Sequence, residues 1–180
     1  NAVFVDSSGV LYVGTDDGVS VYDGTSWTTY TTADGLVNNI VRSVYVDNAG
    51  VLYVGTDRGL SVYNGTSWIT YTEADGLGDS HVCSVFVDSD GVLYAGTYAG
   101  VSVFDGTSWI TYTMDDGLRD NIVRNVYVNN SGVLCVGTDG GVSVYGGEIW
   151  TTYTTDDGLG SNAVNSVHVD GAGVLYVGSE

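Results

Sequence analysis

The chain has 180 residues, of which 43% are hydrophobic, and a formal net charge of −18 from 22 acidic and four basic side chains. A field of this sign repels phosphate backbones and anionic lipid surfaces, so we expect neither nucleic acid nor a membrane surface as a partner. The unbroken apolar runs are only a few residues long, too short to cross a bilayer. The length and composition favour one globular domain over residues 1–180.

The sequence repeats with a period of 41 residues. Tryptophan recurs with this spacing, and so does a DGL triplet that begins at Asp34, Asp75, Asp116 and Asp157. The period divides the chain into four full repeats, residues 1–41, 42–82, 83–123 and 124–164, and a partial fifth, residues 165–180. Self-similarity at a fixed period predicts an array of equivalent structural units.

Each repeat contains four short segments typical of β-strands, illustrated here by the second copy. Alternating β-branched residues predict a first strand over 43–47, and an apolar run predicts a second over 51–56. Tight turns then lead to predicted strands over 60–63 and 68–72. A longer connector, residues 73–81, leads into the next copy.

Four antiparallel strands in about 41 residues, repeated without helices, match the size and pattern of a β-propeller blade. A β-solenoid is the alternative, but its repeats are shorter and lack three successive tight hairpins. We therefore predict an all-β protein, a β-propeller built from 41-residue four-stranded antiparallel blades, with four full blades and the inner half of a fifth. The strands of each blade are called A to D in chain order, with strand A innermost.

The partial repeat predicts a spare A–B hairpin, for which three arrangements are open. The hairpin completes a ring of five positions, the chain is part of a longer propeller, or the hairpin packs against a second chain. Because an uncovered strand edge invites pairing, residues 165–180 are a predicted self-association element.

Alternating strand directions predict that the B–C turns and the D-to-A connectors share one face of the molecule. This face collects recurrent aspartates and the positions at which the copies differ, such as His81, which replaces an Ile or Ala. Departure from an otherwise strict repeat indicates either sequence drift, the first interpretation, or a site that breaks the symmetry of the blades. The second interpretation makes these positions candidates. The candidate ligand-binding residues are Asp16, Asp57, Arg58, His81, Tyr98, Arg119 and Asp139.

No constellation typical of catalysis or of a metal site is visible in the sequence. The carboxylates come as a repeated series, and the DSDG segment at 88–91 lacks the closing Glu of a calcium loop. We therefore predict a non-catalytic protein with no metal and no cofactor. The DGL aspartates are predicted to brace the connector backbone.

Three further residue types have structural interpretations. The recurrent Trp is predicted to hold the outer strand against the neighbouring blade, although a sugar-stacking role is the alternative. His168 replaces a Phe or Tyr of other copies and is predicted to fill an aromatic packing position. Cys83 and Cys135 occupy different repeat positions, which predicts two free thiols rather than a disulfide.

The segment DGLVNNIVRSVYVDNAGVLYVGTDRGLSVYNG, residues 34–65, resembles the two-component regulator propeller repeat. The shared pattern is DGL-x-x-N-x-V, a strand ending in Asp, G-x-L-W-x-G-T and a Y-D-G turn, and the likeness recurs in every copy. The Trp of that pattern is replaced here by Tyr12, Tyr53, Tyr94, Cys135 and Tyr176, and no Pro follows DGL. The resemblance implies an extracytoplasmic (periplasmic or secreted) sensing or binding propeller, often one that responds to carbohydrates.

Together these observations predict a non-catalytic ligand-binding or sensory propeller module, with a glycan or other small molecule as the ligand. The alternative is a structural repeat array that builds a ring through its incomplete terminal blade.

Overall fold

The computed structural model describes residues 2–180 and confirms the propeller architecture. It contains four antiparallel four-stranded sheets and one two-stranded sheet, each with its strands in sequential order. Asn1, the first residue of the first predicted repeat, lies outside the described residues.

The eighteen strands of residues 2–180 follow the repeat. The first blade contains β1 (Ala2–Val5), β2 (Leu11–Thr15), β3 (Gly18–Tyr22) and β4 (Trp27–Tyr30). The second contains β5 (Val41–Val46), β6 (Leu52–Thr56), β7 (Gly59–Tyr63) and β8 (Trp68–Tyr71). The third contains β9 (Val82–Val87), β10 (Leu93–Thr97), β11 (Gly100–Phe104) and β12 (Trp109–Tyr112). The fourth contains β13 (Val123–Val128), β14 (Leu134–Thr138), β15 (Gly141–Tyr145) and β16 (Trp150–Tyr153). The half-blade contains β17 (Val164–Val169) and β18 (Leu175–Ser179).

The connectors are braced at the DGL triplet, as predicted. Three of them contain a short 3-10 turn, at Glu73–Asp75, Met114–Asp116 and Thr155–Asp157. In the second blade, Asp75 Oδ2 accepts hydrogen bonds from the backbone N (2.9 Å) and Oγ1 (3.0 Å) of Thr72. Leu77 of the same triplet is 3% exposed. The triplet therefore caps the turn with its Asp and anchors the connector in the core with its Leu.

The hydrophobic core lies between blades rather than within them. A single four-stranded sheet has two faces and cannot cover either one itself, so each apolar face is buried against an adjacent sheet. Leu60, on strand C of the second blade, packs with Val82 and Val85 from strand A of the third, and all three are at most 5% exposed.

The inner strands approach closely because strand B carries a glycine where the next blade presents valines. A Cβ added at Gly55 would lie 2.9 Å from Cγ1 of Val82 and 3.2 Å from Cγ2 of Val85. The equivalent Gly14, Gly96 and Gly137 face the corresponding valines in the same way. Close packing at this position therefore requires the smallest residue.

Aromatic residues bridge the outer strands, and this confirms the structural interpretation for Trp68, Trp109 and Trp150. The rings of Trp68 and Tyr30, from adjacent blades, meet edge-on with centroids 5.7 Å apart. The pairs Tyr71–Trp109 (5.5 Å) and Tyr112–Trp150 (5.8 Å) repeat this geometry. Such pairs add to the stabilisation that burial alone provides.

A second aromatic series follows the inner A strands. Successive ring centroids lie 4.8–5.2 Å apart along Phe4, Tyr45, Phe86, Tyr127 and His168. His168 thus occupies the aromatic packing position predicted for it. Both Cys83 and Cys135 are free thiols, also as predicted.

The blades form an open arc. Within residues 2–180, β1 packs against β5 and β17 packs against β13 and β14, whereas Val3 on β1 remains 69% exposed. Among the described residues, no strand pairs with the outer edge of β18. The five-position ring, one of the three arrangements left open by the sequence, is therefore not formed.

We expect Leu60→Ala to lower the free energy of unfolding by about 2–5 kcal/mol, because Leu60 is fully buried between two blades. Ile69→Ala, at a neighbouring side chain that is 47% exposed, should change it by less than about 0.5 kcal/mol. Urea unfolding followed by circular dichroism measures both. Equal effects of the two substitutions would contradict a core located between blades.

Candidate functional site

The B–C turns and the connectors lie on one face, as the strand directions predict. The connector after the first blade joins two successive turns through its backbone. Asn39 O accepts a hydrogen bond from Gly18 N at 2.8 Å, and Ile40 O accepts one from Asp57 N at 3.3 Å. Each connector of this kind thus fixes the turns of two blades side by side on this face.

Two arginine–aspartate pairs lie on this face, each joining the start of strand A to the B–C turn of the same blade. In the second blade, Arg42 Nε and Nη2 donate to the two carboxylate oxygens of Asp57 at 2.7 and 3.0 Å. In the fourth blade, Arg124 Nε and Nη2 donate to Asp139 in the same way at 2.6 and 2.8 Å. Bidentate pairs of this kind hold both side chains in a defined orientation.

The third blade, between these two, lacks the pair because both partners are replaced. Cys83 stands at the arginine position and Tyr98 at the aspartate position. His81, from the preceding connector, stacks on Tyr98 with ring centroids 4.0 Å apart and planes 23° apart. Its Nε2 lies 3.4 Å from Asp57 Oδ1, so His81 also contacts the ion pair of the second blade.

These side chains form a continuous series along three blades, which we call the polar row. On its far side, the guanidinium carbon of Arg124 lies 5.9 Å from the centroid of the Tyr98 ring. The members of the polar row are Arg42, Asp57, His81, Tyr98, Arg124 and Asp139. The row is accessible to solvent, since the side chains of both arginines are about 40% exposed and Tyr98 is 41% exposed.

The ion pairs determine the charge state of the row. The hydrogen bonds from Arg42 lower the pKa of Asp57 below its ordinary value. Burial acts to raise this pKa, whereas the electrostatic interaction with His81 helps to lower it. The bond to Asp139 raises the pKa of Arg124. The charged forms of Arg42, Asp57 and Arg124 are therefore favoured, and each guanidinium group faces a carboxylate, although the chain as a whole is strongly acidic.

Cys83 lies beside the row and between its two arginines. Burial raises the pKa of its thiol to about 11, although the charges of Arg124 and Arg42 act to lower it. Because the thiolate is the nucleophilic form, a thiol in this environment is unreactive at neutral pH.

The structure brings four of the seven sequence-predicted residues together: Asp57, His81, Tyr98 and Asp139. Asp16 lies near one end of the row, where its charge contributes to the raised pKa of Arg42. Two predicted residues, Arg58 and Arg119, do not join the row. Within residues 2–180, neither forms an ion pair, and they bond instead through backbone N to Thr56 Oγ1 (3.1 Å) and Ser143 Oγ (2.9 Å).

Sequence reasoning missed Arg42, Arg124 and Cys83 as members of this site. A signal was present, because an arginine is followed by an aspartate 15 residues later in the second and fourth copies. In the third copy both members of that pair change together, to Cys83 and Tyr98.

Among the described residues, no group of three or more His, Cys, Asp or Glu side chains is arranged to hold a metal ion. Residues 2–180 also include no helix with the length and apolar character needed to cross a bilayer.

Comparison with known families confirms the recognition of the repeat. The family model described as a two component regulator propeller matches residues 35–58, inside the segment that carries the resemblance. No curated protein matches the chain.

Solved structures share the architecture. The extracellular domain of a protein described as a hybrid two component system of B. thetaiotaomicron superposes with a TM-score of 0.86 at 22% identity, over 98% of this chain and 26% of that chain. The extracellular domain of a protein described as a one component system of the same organism gives 0.79 at 20% identity, over 99% and 28%. An ancestral GH74 enzyme gives 0.72 at 23% identity, over 97% and 26%. At these identities the likeness shows the propeller fold, and the chain spans about a quarter of the length of these structures.

We expect Asp57→Asn to lower the melting temperature at pH 7, because it leaves Arg42 without its carboxylate. The pKa of Asp57 is lowered in the folded state, so its stabilising effect is fully present above the ordinary pKa of 3.8 and is lost as the pH falls through the lower pKa of the folded protein. The difference in melting temperature between Asp57→Asn and the parent protein should therefore become smaller at acidic pH. Asp17→Asn, at an exposed turn residue, changes the net charge equally and serves as the control. An equal fall in melting temperature for both variants at pH 7 would contradict a specific stabilising ion pair between Arg42 and Asp57.

We expect Cys83 in the folded protein to react with iodoacetamide at pH 8 roughly 100-fold more slowly than in urea, because a pKa two units higher reduces the thiolate fraction by that factor. Burial raises the pKa of the Cys83 thiol from 9.0 to about 11. Peptide mass spectrometry separates Cys83 from Cys135, whose pKa burial also raises to about 11. Equal rates in the folded and unfolded protein would show that Cys83 is not held in this environment.

Proposed function

We propose that the chain is a ligand-binding or sensory propeller module, that the polar row is its binding site, and that its ligand is a neutral carbohydrate. The observation that supports this is the change in the third blade. There the repeated ion pair gives way to Cys83 and Tyr98, and His81 enters from the connector. A site on an otherwise regular array requires such a local departure from symmetry.

The chemistry of the row favours a ligand rich in hydroxyl groups. Guanidinium groups and the imidazole supply N–H donors, carboxylates supply acceptors, and the Tyr98 hydroxyl can do both. A sugar hydroxyl also donates and accepts, so it can bridge a neighbouring donor and acceptor. Because each arginine is already neutralised by an aspartate, the row offers little net attraction to a charged ligand.

The repeat family and the solved structures support a sensory role outside the cytoplasm. The matched repeat is a two component regulator propeller, and two of the similar structures are extracellular domains of regulatory systems. We infer that this chain also works outside the cytoplasm, as a binding rather than a catalytic domain. A propeller-fold enzyme is among the similar structures, so hydrolysis of any bound glycan is a necessary control.

The test is a glycan array followed by titration calorimetry with the oligosaccharides that bind. We expect binding of neutral glycans, and Tyr98→Ala and His81→Ala should each weaken it at least tenfold. Product analysis by mass spectrometry should show the bound glycan unchanged. No binding on the array, or release of shortened products, would contradict the proposal.

A variant in which the third blade regains the residues of its neighbours separates loss of binding from loss of folding. Cys83→Arg combined with Tyr98→Asp recreates in the third blade the ion pair of the second and fourth blades. We expect this double variant to fold with unchanged circular dichroism and to lose glycan binding. Retained affinity would place the ligand elsewhere on the molecule.

A further inference from the structure

Two open grooves, called the rim grooves, lie beside the outer strands at interfaces between full blades. The first rim groove, between the first and second blades, has a volume of about 450 Å³ and is lined by Tyr30, Tyr63 and Trp68 together with Asp34 and Gly35. The second rim groove, between the third and fourth blades, has a volume of about 400 Å³. Its lining includes Tyr112, Asp116, Gly117, Tyr145, Glu148 and Trp150.

The residues between the second and third blades are similar to those of the rim grooves. Tyr71, Asp75, Gly76, Phe104 and Trp109 hold the corresponding positions there and are called the middle set. The ring centroid of Tyr71 lies 5.4 Å from that of Phe104 and 5.5 Å from that of Trp109.

Each rim groove is walled by three aromatic rings in mutual contact. In the first, the Trp68 ring lies 4.9 Å from Tyr63, with planes 30° apart, and 5.7 Å from Tyr30, which it meets edge-on. In the second, Trp150 lies 5.0 Å from Tyr145 and 5.8 Å from Tyr112. All six residues are half-buried, so packing between the blades leaves part of each aromatic wall accessible.

The aspartate of the DGL triplet presents a carboxylate to each rim groove in a fixed orientation. Asp34 Oδ2 accepts hydrogen bonds from the backbone N (2.9 Å) and Oγ1 (3.0 Å) of Thr31. Asp116 Oδ2 accepts the same two bonds, at 2.9 and 3.0 Å, from Thr113. Within residues 2–180, no donor bonds to the Oδ1 atom of either aspartate, so this second oxygen is available to a ligand.

The carboxylate stays close to the rings because the glycine of the triplet allows the connector to touch the indole. Gly35 has a φ of +114°, and an added Cβ would lie 2.8 Å from Cδ1 of Trp68. Burial raises the pKa of Tyr30, and the charge of Asp34 acts in the same direction. Each groove therefore combines aromatic rings with a nearby negative charge.

This combination favours a cation. Aromatic rings attract a positive charge placed over their faces, and a carboxylate adds to that attraction. None of the described residues that line the two rim grooves is a Lys or Arg, and the chain carries a formal net charge of −18.

The residues shared by the two grooves also restrict the type of cation. They offer three rings but a single free carboxylate oxygen, whereas a primary ammonium has three N–H donors and a guanidinium has five. A quaternary ammonium has no N–H donor to satisfy, and its methyl groups can contact aromatic rings directly.

We propose that the rim grooves bind a quaternary ammonium cation. Its methyl groups lie against the Trp and Tyr rings, and its charge lies beside Oδ1 of the DGL aspartate. The second rim groove binds it more tightly, since Glu148 adds a second carboxylate to the lining. The site shares no residue with the polar row, so it stands or falls independently of glycan binding.

The first experiment compares two probes of the same shape, choline and its neutral isostere 3,3-dimethyl-1-butanol, by proton NMR titration at low ionic strength. We expect saturable binding of choline in the millimolar range. Its methyl resonance should move upfield, because protons over an aromatic face are shielded by the ring current. The neutral isostere should bind at least about fivefold more weakly, since it lacks the charge.

The second experiment removes the carboxylates and keeps the rings. The triple variant Asp34→Asn, Asp75→Asn and Asp116→Asn, which includes the middle set, retains an oxygen to cap each connector and should bind choline at least about threefold more weakly. The matched control replaces the exposed residues Asp17, Asp90 and Glu180 by Asn, Asn and Gln, which changes the net charge equally. It should bind choline as the parent does.

Circular dichroism establishes that both multiple variants are folded. If the triple variant fails to fold, Glu148→Gln replaces it, because this exposed side chain takes no part in capping a connector. Glu148→Gln should weaken the tighter component of choline binding. The comparison of choline with its isostere needs only the parent protein.

Four results would overturn the proposal. They are the absence of a saturable shift at choline concentrations well above the millimolar range, equal affinity for choline and the neutral isostere, and equal affinity of the charge-removing variant and its control. The fourth is a saturable shift with methyl glucoside but none with choline, which would make the grooves sugar sites.

Discussion

The close approach of a strand B glycine to the valines of the next blade is the contact on which the architecture depends. It brings adjacent sheets near enough for their inner faces to exclude water, and no blade has an interior of its own. Gly96 shows how little room is left, since an added Cβ would lie 2.6 Å from Cγ1 of Val123. Every strand pair in the molecule is therefore stabilised by burial that a neighbouring blade supplies.

This frame leaves its loops free to vary. The second residue of strand A and the first residue of the B–C turn hold side chains that meet above the core, as Arg42 and Asp57 do, so these side chains can differ between blades over the same packing. The third blade uses that freedom twice, with Cys83 and Tyr98 in place of an ion pair, and the connector adds His81. The polar row thus differs from blade to blade by a few substitutions on a repeated support.

Most of the fold could be predicted from the sequence because its determinants are local and repeated. Alternation of apolar residues located the strands to within about two residues, and turn chemistry gave their order. Topology alone placed the B–C turns and connectors on one face. Topology did not determine which way each side chain points. Arg58 and Arg119 were therefore counted among the candidate residues although they lie outside the polar row, and Arg42 and Arg124, which belong to the row, were missed. The openness of the arc was also beyond sequence reasoning, because the rotation between blades is set by packing rather than by any local pattern.

The most direct test of the account is the stability of Gly96→Ala measured against Gly146→Ala by urea unfolding. Gly96 faces the valines of the fourth blade, whereas an added Cβ at Gly146 would meet nothing within 4 Å. The account predicts that Gly96→Ala lowers the free energy of unfolding by about 1–3 kcal/mol. It predicts that Gly146→Ala leaves it unchanged or slightly higher. Equal stability of the two variants would show that contact between glycine and valine does not hold the blades together.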